Sequence, residues 1–164
     1  MKKSKYALLG IGGVLVLGGV ITAIVLVVLN NRTALTCKLT SDQTAMGYKV
    51  DSVYAVYGSQ DAVNKVTVRH AVQSDSEETR NTLIDDYKSQ FDYNNKRYGG
   101  YEYNVSGLNG NEIVFSGSID YSKMDMEKFK TDNVAMEDFL NENGKLGLDG
   151  AKRLYESSGA TCNE

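Results

Sequence analysis

The chain has 164 residues, with 18 Lys and Arg against 21 Asp and Glu, one His, two Cys and no Pro. A single His and two Cys exclude metal sites that are built from several imidazoles or four thiolates, so we expect no metal and no cofactor. Residues 33–164 hold 14 basic and 21 acidic residues. A net acidic domain argues against nucleic-acid binding, because that binding depends on Lys and Arg neutralising phosphates.

The first predicted element is an apolar helix. Residues 6–29 form a run of 24 residues without a charge, about 36 Å of helix, and a hydrocarbon core is about 30 Å thick. Three lysines precede this run and Arg32 follows it, and the side richer in Lys and Arg stays cytoplasmic. We therefore expect residues 1–32 to be a cytoplasmic basic tip and a single transmembrane anchor. Residues 33–164 would then be an extracytoplasmic domain at the cell membrane.

Two other roles for the N-terminal segment stay open. A cleaved secretory signal has an apolar stretch of about 7–15 residues and small residues at its cleavage site, whereas this run is longer and ends in Asn30, Asn31 and Arg32. A lipid on Cys37 is the second alternative, because residues 34–37 loosely resemble the end of a lipoprotein signal. Thr36 is a poor residue immediately before a lipid-modified cysteine, so we favour the anchor.

The two cysteines predict a structural disulfide. Cys37 opens the domain and Cys162 nearly closes it, and disulfides form and persist outside the cytoplasm. Bridging them closes a loop of about 125 residues, which the chain-entropy model values at a little under 5 kcal/mol. A redox-active pair would need Cys-x-x-Cys or a basic neighbour at a helix N-terminus. The sequence gives neither cysteine a convincing setting of that kind.

The first half of the domain predicts three strands and a helix. Residues 34–40 are a short candidate strand, and residues 47–57 and 63–72 alternate with period two, as half-buried strands do. Ser74 is the predicted N-cap of a helix, with Glu77 completing a capping box. Its apolar positions recur at helical spacing, and Gly99 and Gly100 end it. These apolar positions are Leu83, Ile84, Tyr87, Phe91 and Tyr98.

The second half predicts two strands and a helix. Residues 101–106 and 112–121 are strands, residues 124–130 and 133–141 are short helical segments, and Asp149 is the predicted N-cap of a helix over 150–158. The order β-β-β-α-β-β-α after the transmembrane helix predicts an α+β fold, with a small antiparallel sheet and helices packed on one face.

Candidate chemistry is sparse. His70 is the obvious general base, but it alternates with valines on an apolar strand face, and the sequence shows neither a nucleophile nor an orienting carboxylate beside it. The acidic residues near the C-terminus lack the spacing of a calcium loop. They are Asp132, Glu137, Asp138, Glu142 and Asp149. We therefore expect no catalytic residue and no enzyme.

Tyrosine is abundant, with eleven in the chain. Tyrosine suits recognition surfaces because one end is apolar and the other forms hydrogen bonds, although tyrosines that alternate on a strand also pack across strands. We favour packing and keep one cluster as the candidate binding surface. It consists of Tyr87, Tyr93, Tyr98, Tyr101 and Tyr103.

From about residue 47 onward, the chain resembles the YehR-like family of small bacterial lipoproteins. The resemblance rests on the alternating strand pair, the helix with Tyr87 and Phe91, the segments 112–115 and 119–125, and the helix leading to Cys162. It implies a bacterial cell-surface domain and supplies no established activity. The chain departs from the family pattern in its long apolar segment and in Cys37, which suits a disulfide better than a lipid.

The function expected from the sequence is a membrane-anchored, extracytoplasmic binding or interaction module without catalysis. Its partner would be an envelope polymer or a protein at the bacterial cell surface. The alternative is an accessory subunit that joins a membrane complex through the transmembrane helix, since Gly19 and Ala23 have the small-xxx-small spacing that permits close helix pairing.

Overall fold

The computed structural model describes residues 34–106 and 110–163. These residues form a six-stranded sheet and three α-helices. The strands are β1 Leu35–Gln43, β2 Tyr48–Gly58, β3 Val63–Gln73, β4 Tyr101–Ser106, β5 Glu112–Asp120 and β6 Thr161–Asn163. The helices are α1 Glu77–Tyr98, α2 Met126–Asp132 and α3 Leu148–Ser157, with 3-10 turns at Thr44–Met46, Tyr121–Lys123 and Val134–Phe139.

The sheet is antiparallel throughout, with the strand order β4-β5-β3-β2-β1-β6. Short connections make β2 and β3 a hairpin, and β4 and β5 another. The register brings Ser52, His70 and Phe115 into one row across the three central strands. Strand β4 therefore lies at one edge of the sheet and β6 at the other.

Helices α1 and α3 pack on the same face of the sheet, which we call the helix-covered face. The Tyr87 ring of α1 stacks on His70 of β3 at 4.3 Å, and the Tyr155 ring of α3 lies 4.6 Å from that of Tyr54 on β2. Side chains along a strand point alternately to the two faces of the sheet. The residues directly before and after His70 in β3 therefore point to the side opposite α1 and α3. We call that side the helix-free face.

Helix α1 begins two residues later than the sequence predicts. Ser76 is the N-cap, and its side chain accepts a hydrogen bond from the Thr79 N–H at 3.2 Å. The hydroxyl of Ser74 instead donates to the Gly47 carbonyl at 2.6 Å. The predicted end of the helix at Gly99 is confirmed, with a φ of 74° that favours glycine.

The predicted number and order of strands and helices are wrong, although the fold is of the predicted α+β class and has an antiparallel sheet. The structure has a sixth strand, β6, and α2 as a separate helix, so the order is β-β-β-α-β-β-α-α-β. A three-residue strand has too short a period-two pattern to be visible in sequence. In residues 34–106 and 110–163 there is no helix long and apolar enough to span a membrane. The transmembrane helix predicted over residues 6–29 lies outside the described residues.

The predicted disulfide is confirmed. Cys37 of β1 and Cys162 of β6 are bonded, and the two residues are direct partners in the antiparallel register. Both are buried, at 0% and 8% exposure. The bond therefore fastens the end of the chain to the first strand, as the sequence indicates.

Candidate functional site

The structure does not bring the five tyrosines of the predicted binding surface onto one surface. Tyr87, Tyr98 and Tyr101 are 2%, 7% and 5% exposed and belong to the core. Tyr93 is 60% exposed on α1, and Tyr103 is 38% exposed on β4. Of the predicted set, only these last two are placed to meet a partner.

Tyr103 lies on the helix-covered face of β4, where the sheet ends. Its ring packs 5.4 Å from that of Phe115, and its hydroxyl donates a hydrogen bond to Asp92 of α1 at 3.2 Å. Partial desolvation and this hydrogen bond raise the pKa of Tyr103. Tyr93 follows Asp92 on the same helix and points about 100° further round the helix axis. We call Asp92, Tyr93 and Tyr103 the tyrosine surface, a set joined through Asp92 and its hydrogen bond to Tyr103.

Glycine 117 makes room for this packing. Gly117 is the β5 partner of Tyr103, and a Cβ added to it would lie 2.5 Å from the Phe91 ring. The Phe91 ring in turn meets Tyr103 edge to face at 6.2 Å. A side chain at position 117 would displace Phe91 and the aromatic support beneath Tyr103.

His70 forms a serine–histidine pair that the sequence did not reveal. Ser52 on β2 and His70 on β3 are direct cross-strand partners, and Ser52 Oγ and His70 Nδ1 share a hydrogen bond of 2.5 Å. The Tyr54 hydroxyl also hydrogen-bonds Ser52. Only the pairing of β2 with β3 brings Ser52 to His70, since they are 18 residues apart in the chain.

This pair is enclosed by aromatic rings. Ser52 is 1% exposed and His70 0%, and the His70 ring packs against the rings of Tyr87 at 4.3 Å and Phe115 at 6.0 Å, which also contact each other. A serine activated by a histidine base needs substrate within reach of the hydroxyl. Here the pair is a buried polar link inside the core, where polar groups need hydrogen-bond partners.

The helix-free face carries two ion pairs between charged side chains. On β2, Lys49 lies 3.2 Å from the Asp51 carboxylate, and Thr40 of β1 donates to that carboxylate at 2.7 Å. Further along, Glu112 of β5 lies 3.9 Å from Arg69 and accepts from Gln73 at 3.0 Å. The sequence analysis predicted none of these contacts, because they depend on the register in which β1, β2, β3 and β5 pair.

The acidic residues near the C-terminus do not assemble into a cation site. Arg97 of α1 donates to Asp132 at 2.7 Å, and this hydrogen bond lowers the pKa of Asp132. Among the described residues, no group of three or more His, Cys, Asp or Glu side chains is placed to hold a metal ion.

Comparison with known proteins gives distant structural neighbours. No family model matches the chain, and no curated protein matches it. The NMR structure of E. coli YehR superposes with a TM-score of 0.45 at 15% identity, covering 82% of this chain and 93% of that one. The NMR structure of a protein from Streptococcus pneumoniae TIGR4 gives a TM-score of 0.44 at 12% identity, covering 99% and 98%. The structural neighbours of this chain thus include YehR, as a distant likeness.

Proposed function

We propose that this chain is a non-catalytic binding module that works outside the cytoplasm at the bacterial cell surface, and that the tyrosine surface meets its partner. The observation that carries the proposal is the exposure of Tyr93 and Tyr103, at 60% and 38%, beside a core that encloses their neighbours. The partner is an envelope polymer or another protein, both of which offer hydroxyl, amide and apolar groups to tyrosine.

The chemistry of the tyrosine surface supports recognition. Tyr103 is oriented by Asp92 and by the Phe115 ring, so its position is fixed before a partner arrives. A rigid side chain loses little conformational entropy on binding. Lys49 and Asp51, and Arg69 and Glu112, already form ion pairs on the helix-free face, so these four charges are less available to a partner.

Two features support the location and the absence of catalysis. The Cys37–Cys162 disulfide suits an oxidising compartment outside the cytoplasm. The serine–histidine pair is enclosed, with Ser52 at 1% exposure, so a substrate has no access to the hydroxyl in this structure.

Kinship with the YehR-like family belongs to the same proposal and rests on the sequence segments 112–115 and 119–125. A lipid on Cys37 does not belong to it. The Cys37 sulfur is bonded to Cys162 and cannot form a thioether at the same time.

Cross-linking from intact cells, followed by identification of the captured molecule, tests the function. We expect Tyr93→Ala to weaken capture about tenfold, as the loss of an aromatic contact at an interface does. Met46→Ala is the matched control, since Met46 is 62% exposed and lies elsewhere on the domain. Equal losses from both variants would refute the tyrosine surface. Capture that is lost only when residues 6–29 are exchanged would favour the accessory subunit.

Protease treatment of intact cells tests the location. We expect the domain to be cleaved from outside in cells whose cytoplasmic proteins remain intact. Protection of residues 33–164 until the cells are lysed would place the domain inside and contradict the proposal.

A further inference from the structure

Strand β4 presents a sheet edge with a defined length. Among the described residues, no strand lies beyond β4, which spans Tyr101–Ser106. Natural edge strands are commonly protected by Pro, Lys, a bulge or a covering segment. The β4 sequence is YEYNVS, in which Glu102 is the only charged residue.

The hydrogen-bond pattern fixes which backbone groups face outward. The Asp120 N–H donates to the Gly100 carbonyl at 2.8 Å, so residues 100 and 120 are a hydrogen-bonded pair of the β4–β5 ladder. Such pairs alternate along an antiparallel ladder. The N–H and C=O groups of Tyr101, Tyr103 and Val105 therefore point away from β5.

One end of this edge is already occupied. The Tyr101 N–H donates to the Asn95 side chain of α1 at 3.2 Å. The side chain of Asn95 thus lies against the outer side of β4 at its first residue. This leaves Tyr103 and Val105 as the two residues whose outward groups can bond to a further strand.

We propose that the β4 edge pairs with the β4 edge of a second copy of this chain, antiparallel and with the two-fold axis at Asn104. Tyr103 of each copy then exchanges two hydrogen bonds with Val105 of the other. The intermolecular hydrogen bonds of this register use Tyr103 and Val105 and do not need the Tyr101 N–H that Asn95 occupies, and the pairing joins two six-stranded sheets into one. It is carried by the β4 backbone and does not depend on the proposed function.

The side chains of β4 are complementary to themselves in this register. On the helix-covered face Tyr103 meets Val105 of the other copy, an aromatic and β-branched pair that stabilises antiparallel strands. On the helix-free face Asn104 meets Asn104, and their amides can donate and accept. Glu102 meets Ser106, so like charges are not opposed. This self-complementarity favours a second copy over an unrelated extended peptide.

Charge substitution at the axis tests the proposal. Because Asn104 faces its own copy, we expect both Asn104→Glu and Asn104→Lys to weaken dimerisation about two- to fivefold. An equimolar mixture of the two variants should regain or exceed the wild-type dimer, since opposite charges then face each other. An unrelated partner strand would respond oppositely to the two signs. Sedimentation equilibrium of the full chain in density-matched detergent measures the dissociation constants.

Deletion of one donor tests the backbone contact. Val105→Pro removes an N–H that points away from β5, a position where edge strands tolerate Pro. We expect it to weaken the dimer about tenfold or more through two lost hydrogen bonds. Val105→Ala is the matched control and should cost less. Circular dichroism and unfolding curves establish that both variants remain folded.

Cysteine cross-linking tests the register. Asn104→Cys places two thiols on residues whose Cα atoms are about 4.5 Å apart, within disulfide range. Glu102→Cys on the same face is the control, because its copies are about 13 Å apart along the strands. We expect oxidation of the full chain to trap a dimer with Asn104→Cys alone. A full chain that stays monomeric at about 1 mM, a dimer indifferent to all these changes, or a monomer that adds a foreign extended peptide at β4 would each overturn the proposal.

Discussion

The two edge strands of the sheet are held in place by different kinds of contact. At one edge, β6 is three residues long and is held to β1 by a disulfide in direct register. At the other, β4 is six residues long and is supported by the aromatic packing of Tyr103 and by the Asn95 side chain. Non-covalent contacts therefore hold β4, whereas a covalent bond holds β6.

The difference between the two edges indicates which of them is suited to contact another molecule. A short strand closed by a disulfide offers few backbone groups to another chain and resists fraying. An open strand with outward N–H and C=O groups and an exposed tyrosine is suited to contact. Both the proposed tyrosine surface and the proposed dimer contact lie on the β4 side.

Alkaline pH should remove the difference between the two edges, because it unfolds the sheet that lies between them. This is the largest effect that we expect. Desolvation raises the pKa of Tyr121 from 10.0 to about 12. Burial likewise raises the pKa values of Tyr54, Tyr87, Tyr101 and Tyr155. Below pH 10 both states keep their phenolic protons and stability is full. Above it the unfolded chain releases protons that the folded chain retains, so the free energy of unfolding falls by about 1.4 kcal/mol per group and pH unit.

Tyrosinate absorbance and circular dichroism recorded together measure this effect. We expect these tyrosines to ionise cooperatively with the loss of secondary structure, between pH 10 and 12 or above. Ionisation of all the tyrosines near pH 10 with the fold intact would contradict the burial described above.

Removal of the disulfide should be the next largest effect and should act on the β6 edge. The double variant Cys37→Ala/Cys162→Ala should lose about 2–5 kcal/mol of unfolding free energy, because the unfolded chain regains the freedom of a long loop. Denaturant unfolding measures the loss, and the reduced wild type should match it. Hydrogen exchange should rise most at Thr161–Asn163, beyond the smaller rise that the lower global stability gives to β4. Equal loosening of both edges would show that β6 does not depend on the bond.

The sequence predicts much more of the sheet than of the surface. Residues 47–57 and 63–72 alternate clearly, and β2 and β3 are found at Tyr48–Gly58 and Val63–Gln73. The disulfide was predictable because two cysteines allow one pairing. β6 was not, since three residues are too few for a period and their pairing depends on a partner far away in the chain.

The candidate site was predictable only in part. Tyr93 and Tyr103 were named together with Tyr87, Tyr98 and Tyr101, which the core buries. Helical spacing already placed Tyr87 and Tyr98 in the apolar stripe of α1 and left Tyr93 outside it. The burial of these two tyrosines could therefore have been predicted, whereas the burial of Tyr101 depends on how β4 packs against α1. The serine–histidine pair depended on the exact cross-strand register, which a sequence pattern fixes only loosely.

The next test compares Gly100, which immediately precedes β4, with a second glycine that has the same backbone φ angle. Gly100 and Gly47 both have a φ of 80°, so alanine costs each about 1 kcal/mol of conformational strain. A Cβ at position 100 would also lie 2.5 Å from the Asp120 carbonyl oxygen, whereas nothing lies within 4 Å of one at position 47. We expect Gly100→Ala to cost about 1–3 kcal/mol more than Gly47→Ala. Equal unfolding free energies would mean that β4 enters the sheet with more freedom than this packing implies.

The smallest effect should come from Asn95, which holds the first residue of the open edge. Asn95→Ala removes the acceptor of the Tyr101 N–H, worth about 0.5–1.5 kcal/mol. The exposed Asn81 of α1 gives the matched control, because Asn→Ala gains a similar helix propensity at both sites. The difference in unfolding free energy between the two variants therefore isolates the hydrogen bond. If Asn95→Ala is at least as stable as Asn81→Ala, the Asn95 contact adds nothing to β4, and the edge is held by its pairing with β5 and by the aromatic packing of Tyr103.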